Sequence, residues 1–531
     1  MIRVRQVKVL VSANSDLLLK EEVSNKLKIK SSDILGLRIF KRSVDARHKP
    51  NIYYIYTVDV DVLDEELLLK KNYNNNDIVK APDLEYKFTP TGEVAIKNKI
   101  VVVGSGPCGL MCAYMLALYG YQPLVIERGS KVSKRDVDVN NFWKNDKLNL
   151  DSNVQFGEGG AGTYSDGKLN TLVRDKGNRQ RLVFETFVAS GANEEILYEA
   201  KPHIGTDNLK KIVSNIDKKI ISLGGEIRFN TKLVDIKVNN DKLESIILDN
   251  GEEILCDALV LAIGHSARDT FSMLYERGVC MEAKPFAVGV RVQHPQSMIN
   301  MSRYGVLKHD ILKEASYKLV HRASNNRGVY TFCMCPGGYV VNASSEEGRL
   351  AINGMSNYKR DSGNANSAVI VTVGPDDFGT NPMAGIKFQE DLERRAYLVG
   401  NGRIPVCLYG DYRMRKLSHK FGKIKPVFKG EYNFSKVWDI FPEYVNLAFV
   451  EGMNAFSRKI KGFGDDDVIV AGVESRTSSP VRIIRDEHGE ANYRGIFPAG
   501  EGAGYAGGIT SAAMDGVLVF EHIASLYKSC K

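Results

Sequence analysis

Residues 99–129 read KIVVVGSGPCGLMCAYMLALYGYQPLVIERG, and no other stretch restricts the fold as much. Lys99–Val103 is a short apolar run, Gly104-Ser105-Gly106-Pro107-Cys108-Gly109 follows, and Ala113, Leu116 and Ala117 continue at helical spacing. A second apolar run, Leu124–Ile126, ends in Glu127 and Arg128. Strand, glycine turn, helix and strand in that order make a βαβ unit. The first glycine permits the tight turn, the second lets a pyrophosphate approach the backbone, and the third lets helix and strand pack closely. Free N–H groups at the helix start face the phosphates. Glu127 lies about twenty residues on, where a carboxylate accepts hydrogen bonds from ribose hydroxyls. A dinucleotide site is therefore predicted at Gly104, Ser105, Gly106, Pro107, Cys108, Gly109, Glu127 and Arg128; a glycine-rich turn holding no ligand is the alternative.

At 531 residues the chain is too long for one core, and domains of roughly 100 to 200 residues suggest about three. Apolar residues at 43% and charged residues at 26% are ordinary for a globular protein, and a net charge of +8 is too small to argue for nucleic acid. No run of about 18 apolar residues occurs, so no membrane contact is expected. The opening MIRVRQVKVLVSANSD interleaves basic and apolar residues and reads as a strand, not a leader. Eight cysteines, mostly inside apolar runs, form no disulfide framework, and a reducing cytoplasm fits them.

Residues 1–90 carry their own pattern, with strands at Val7–Val11, Ile34–Ser43 and 51–62 and a helix at Asp16–Leu27. This is a small α+β module of ferredoxin-like type. Asn72–Asp77 is polar enough to link it to the remainder. After Glu127 comes a second glycine cluster, QFGEGGAGTYSDGKL, at 155–169. Such density brings backbone close to a phosphate or a flat ligand, unless the segment is a flexible loop. Gly159, Gly160, Gly162, Thr163, Ser165 and Lys168 are predicted there. Residues 203–266 then give a helix, a strand, a small β-meander and a buried strand ending in Gly264-His265. From 286 to 464 no dinucleotide pattern recurs; AVGVRVQHP, TFCMCPGGYVVNAS and NSAVIVTVGP are β-rich and read as an inserted, mostly antiparallel substrate domain. Residues 465–531 return to glycine in IFPAGEGAGYAGGITSAAMDG, a strand, a turn with Gly500 and Glu501, and a helix starting near Gly508 and Ile509.

The helix, strand, meander and return strand resemble the FAD domain of glutathione-reductase-type flavoproteins. The whole is an α/β chain, with an FAD-binding, Rossmann-like domain at 97–285 and 465–531 and the β domain at 286–464. With GSGPCG, FGEGGAGTYSDGKLN, AIGHSARD, FCMCPGG, NGMS, ESRTSSPVRI and GEGAGYAGGITSAAMDG in place, the sequence is similar to the uncharacterised FAD-dependent dehydrogenases, a mainly bacterial group. That resemblance implies non-covalent FAD and no particular substrate. In related flavoproteins the carboxylate at the position of Glu501, usually Asp, binds the ribityl chain, and the following helix points its N-terminus at the flavin. A helix N-terminus there stabilises the negative charge that hydride transfer to N5 creates at N1 and O2.

The chemistry expected is hydride transfer between a small-molecule substrate and flavin N5. A single glycine unit leaves no separate NAD(P)H domain, so electrons come from substrate, transient NAD(P)H or a partner protein. Arg291 and His294, in GVRVQHP, are candidates to bind an anionic substrate and to exchange a proton, or else form a locally satisfied strand-end pair. Arg476 is either near flavin and substrate or in a structural salt bridge. Gly264 and His265 belong to the cofactor shell. Cys333 and Cys335 read mainly as core or pocket packing, since so close a pair closes only a strained disulfide; redox and metal roles are the alternatives. Seven basic residues and no acidic one lie between Arg413 and Lys429, a solvated face or an anion site. The rival functions are a non-catalytic FAD redox sensor or assembly protein and a flavin-dependent RNA-modifying enzyme.

Overall fold

Period-two alternation in the strands that flank the glycine turn builds the centre of the protein. The structure, a computed structural model, describes residues 1–12 and 14–529. Ile100 and Val102 of the strand Lys99–Val103 face one hydrophobic layer, and Val101 and Val103 face another. Five strands run parallel in the order Glu226–Arg228, Leu124–Ile126, Lys99–Val103, Glu253–Leu261, Ile496–Pro498. Both faces are apolar because both are covered. On one side lie the helices Pro107–Leu118, Thr206–Ser222 and Ile509–Leu526. On the other lie the helix Arg268–Glu276 and the strands Leu233–Asn239 and Lys242–Leu248, an antiparallel pair of which Lys242–Leu248 also pairs antiparallel with the start of Glu253–Leu261.

Glycine decides how close the helices come. A Cβ at Gly109 would sit 1.9 Å from the Gly104 carbonyl oxygen, and one at Gly516 would sit 2.1 Å from that of Cys108. The helices Pro107–Leu118 and Ile509–Leu526 thus touch backbone to backbone. Among the described helices, Ile509–Leu526 alone is long and apolar enough to cross a membrane, with mean hydropathy 1.2, and 72% of that window is buried in this core.

The second sheet is the inserted one. Its seven strands run in the order Val320–Arg322, Gly328–Cys335, Asn364–Val373, Phe286–Pro295, Ile469–Glu474, Ile404–Leu408, Tyr432–Phe434, antiparallel except for the last pair. Ile469–Glu474 pairs with Phe286–Pro295, so the boundary expected at 464/465 falls instead after Glu474. An apolar strand carries no label of the sheet it joins, and only the pairing reveals it. In the basic stretch, Arg413 and Arg415 pair with Asp466 and Glu443 at the surface (2.9 and 2.7 Å).

Residues 1–80 form a βαββαβ module whose sheet has the order Ile34–Asp45, Tyr53–Val62, Ile2–Leu10, Ile78–Lys80, with all neighbours antiparallel. The polar segment 72–77 is a turn within this module and not the linker expected of it, because the three residues after it pair with Ile2–Val4. Arg42 donates to Glu199 (2.9 Å), tying the module to the parallel-sheet domain.

Candidate active site

Three segments far apart in sequence line one cavity of about 360 Å³ at the carboxyl ends of the parallel strands: Gly104 and Gly106, Gly160 and Gly162, and Gly507 and Gly508. Ligands of open α/β sheets bind at such strand ends. A Cβ at Gly160 would meet the Gly106 Cα at 2.9 Å, so the first two segments are in backbone contact. At Gly264, Gly507 and Gly508 an added Cβ would meet nothing within 4 Å, because those residues face the open cavity. The helices beginning at Pro107 and Ile509 start at glycines, and neither N-terminus has a side-chain cap. Their first N–H groups are left for a ligand, and both helix dipoles favour negative charge there.

Two buried groups hold the second glycine segment. Glu127 accepts from Ser105 N–H and Oγ–H on one oxygen (2.8 Å each), and from Gly129 and Gly157 N–H on the other (2.9 and 3.0 Å). Arg135, wholly buried, donates to the carbonyls of Asn153, Val154, Gly157, Glu158 and Gly160 at 2.7 to 3.2 Å. A carboxylate has about four acceptor sites, and protein donors take four, so a ribose hydroxyl reaches it only by sharing. Arg135 was missed because a helical arginine with no acidic partner leaves no sequence signal.

The opposite wall comes from the inserted sheet: Phe332, Cys333, Asn353, Glu474, Arg476 and Thr477. Arg476 lines the cavity and donates to both Glu393 oxygens (2.9 and 2.8 Å) and to Ser345 (2.6 Å). Glu393 also binds Arg268 at 2.8 Å. Burial disfavours the Glu393 charge, yet Arg268 and Arg476 hold it well below the usual carboxylate range.

Arg291 and His294 do not line the cavity, against expectation. Both are fully buried in the strand Phe286–Pro295, which lies in the middle of the seven-stranded sheet. Arg291 binds both oxygens of Glu474 (2.8 and 3.1 Å), the Asn366 side chain (2.7 Å), Asn353 (3.1 Å) and the Cys333 carbonyl (3.1 Å). Burial pushes Glu474 up and Arg291 pulls it back; the two-point contact is that of an ion pair. The His294 ring contacts the Phe463 carbonyl at 2.8 Å, and burial pushes its pKa down to about 4, so it is neutral and out of reach of the cavity.

These observations can be set beside known proteins. A protein of Clostridium beijerinckii, called only "Uncharacterized protein", is 48% identical over 520 residues, 97% of each chain. A family model described as "FAD-dependent protein, C-terminal domain-like" matches residues 285–477, and an "FAD binding domain" model matches 97–136. The chain belongs to a family of FAD-dependent proteins. FAD is accordingly the cofactor of this family member, and the two uncapped helix starts and the glycine backbone fit its pyrophosphate and flavin ends. Solved structures are far more distant. Glycine oxidase from Bacillus cereus is 12% identical, covering 80% of this chain and 95% of that one at a TM-score of 0.35. Glycerol-3-phosphate dehydrogenase from Bacillus halodurans, complexed with FAD, is 10% identical, covering 80% and 64% at 0.36. Residues 1–61 match a domain of unknown function.

Of the FAD contacts predicted for this family member, Gly104, Gly106, Pro107, Cys108, Glu127, Arg128, Gly160, Gly162, Ser165, Lys168, Gly264, His265, Glu501, Gly508 and Ile509 line the cavity. Ser105 is buried behind it on Glu127, and Gly109 packs against Gly104. Gly159 and Thr163 face a small neighbouring cavity. Gly500 donates its N–H to Asp515 (2.7 Å), which Arg485 pairs at 2.7 Å. Arg128 pairs with Asp269 and stacks on Phe156 (4.4 Å), and His265 lies 3.3 Å from Glu501. Asp166, which the sequence places beside the second glycine cluster with Ser165 and Lys168, also lines the cavity; Asn353 and Glu474 line it without having been singled out as site residues, because single polar residues inside strands have no spacing signature.

Proposed function

We propose that the protein is an FAD-dependent oxidoreductase acting on a small molecule held between the two walls of the cavity. The observation that carries this is the convergence of three glycine-rich segments and two uncapped helix starts on a cavity closed by polar side chains of a second domain. The layering of helices, parallel sheet and meander supports a glutathione-reductase-type FAD domain. Bound FAD supplies two-electron chemistry by accepting or donating a hydride. The chain's own part is to orient and to exclude water. The Pro107 helix start would hold the pyrophosphate, and the Ile509 helix start would favour negative charge on a bound flavin ring. Lys168, held at 3.0 Å from Asp166, and Arg476 offer positive charge to an anionic substrate group. All described cysteines are free, which supports a reducing compartment.

The test is to purify the protein with added FAD and record its visible spectrum after gel filtration. A flavin band near about 450 nm that bleaches on anaerobic photoreduction and returns with an acceptor supports the reading. A colourless protein defeats it, and a band that never reoxidises leaves a sensor.

A further inference from the structure

The strand Gly328–Cys335 breaks its own regularity where it meets the cavity. Its register against Asn364–Val373 runs evenly from Val329↔Val371 to Phe332↔Ala368, then jumps to Cys335↔Asn366, three residues against two. This is a β-bulge, and Cys333 within it has φ of +40°, in the left-handed region that side chains avoid. Bulges near active sites re-aim a side chain, and strain of this kind persists where surroundings enforce it. Here two cations do so: Lys168 donates to the Met334 carbonyl and Arg291 to the Cys333 carbonyl (3.1 Å).

The result is an unusual pair of thiols. Cys333 is half-buried and lines the cavity, whereas Cys335 is fully buried behind it and donates to the Cys333 carbonyl (3.2 Å). The neighbouring Cys335 thiol, opposed by burial and aided by Lys168 and Arg291, holds the Cys333 thiol below its usual range, Asp166 acting the other way. Cys335 is pushed up by its neighbour Cys333 and by burial. Glu474 also faces Cys333. A thiolate is the nucleophile in exchange reactions, so the pair consists of an attacker and a proton-bearing partner.

We propose that Cys333 and Cys335 are a redox-active dithiol in the cavity wall that exchanges an electron pair with a small disulfide, Cys333 attacking and Cys335 resolving. The Cys333 thiolate attacks one sulfur of RS–SR, forming a Cys333–SR bond and expelling RS⁻. Cys335 then loses its proton and attacks the Cys333 sulfur, closing the 333–335 bond, and the second RS⁻ leaves with that proton. Two protein sulfurs are oxidised and one disulfide is reduced. Restoring the pair takes two electrons and one proton from reduced FAD, and this half rests on the oxidoreductase reading above.

The test uses the full chain with Cys280, which is exposed, and Cys530, outside the described residues, replaced by serine. The probe is 4,4′-dithiodipyridine, with intact-mass detection. The parent protein releases about two equivalents of thiopyridone, loses two hydrogens and retains no pyridine. Cys335→Ser releases about one equivalent and keeps the adduct on Cys333. Cys333→Ser does not react on this timescale. A parent that keeps a single adduct overturns the proposal without either cysteine variant needing to fold, and so does a parent that reacts no faster than a folded Cys333→Ser. The flavin band is recorded on the same samples. A normal band without exchange removes the dithiol and leaves the FAD reading standing; exchange without a band does the reverse.

Discussion

Arg135 and Arg291 are both wholly buried, each behind one wall of the cavity, yet they are held in opposite ways. Arg135 donates its hydrogen bonds to backbone carbonyls, five of them, and lies over the Tyr164 ring (4.8 Å), and burial depresses its affinity for a proton. Arg291 meets burial as well, but Glu474 outweighs it and the guanidinium is held above its ordinary value. The glycine wall is thus positioned by carbonyl dipoles around a guanidinium, and the sheet wall by an ion pair. Removing the cation has different consequences. On the glycine side it leaves backbone carbonyls unpaired; on the sheet side it leaves a buried carboxylate with no counter-charge.

The contrast breaks or stands first on Arg291→Met. Stranding Glu474 is expected to cost about 3–5 kcal/mol in urea unfolding, and Arg291→Met combined with Glu474→Leu should recover most of it. If the double variant is as unstable as the single, the pair is not the organising element. Next in size, Arg135→Lys keeps the charge but cannot span five carbonyls. A loss of about 1–3 kcal/mol is expected, together with weaker FAD retention in equilibrium dialysis.

A third measurement probes the acid pair behind the glycine wall. Asp217 is pushed up to about 9, by burial first and then by neighbouring Glu158, so the native protein holds a proton there that the unfolded chain releases above its ordinary value of 3.8. The native state binds more protons between those values, so stability falls as pH rises from about 4 towards 9. Melting temperatures at pH 6 and 9 should diverge in the parent and converge in Asp217→Asn. The smallest effect is expected at the surface. Arg415→Ala, which breaks an exposed pair with Glu443, should change stability by less than about 0.5 kcal/mol and leave the flavin spectrum untouched.

The two walls also differ in how far the sequence discloses them. A wall made of backbone requires glycine at fixed offsets, and GSGPCG and FGEGGAG announce themselves because no other residue tolerates the contacts Gly109 and Gly160 make. A wall made of side chains depends on which strands become neighbours. Arg291 and His294 looked available because a strand end is often exposed, but pairing on both sides by Asn364–Val373 and Ile469–Glu474 buries them. Glu474, just two residues before Arg476, is the partner of Arg291, while Arg476 pairs with Glu393 from a distant helix. Cys333 faces the cavity because of a bulge, and a single extra residue in a strand alters no composition or period.

The strand Ile496–Pro498 and the helix Ile509–Leu526 come late in the sequence, yet they complete the sheet edge and one end of the cavity. During translation, the first two glycine segments are made hundreds of residues before the third. The cavity is therefore incomplete in any nascent polypeptide stalled short of residue 509, and on the proposed function such a polypeptide should leave the ribosome colourless.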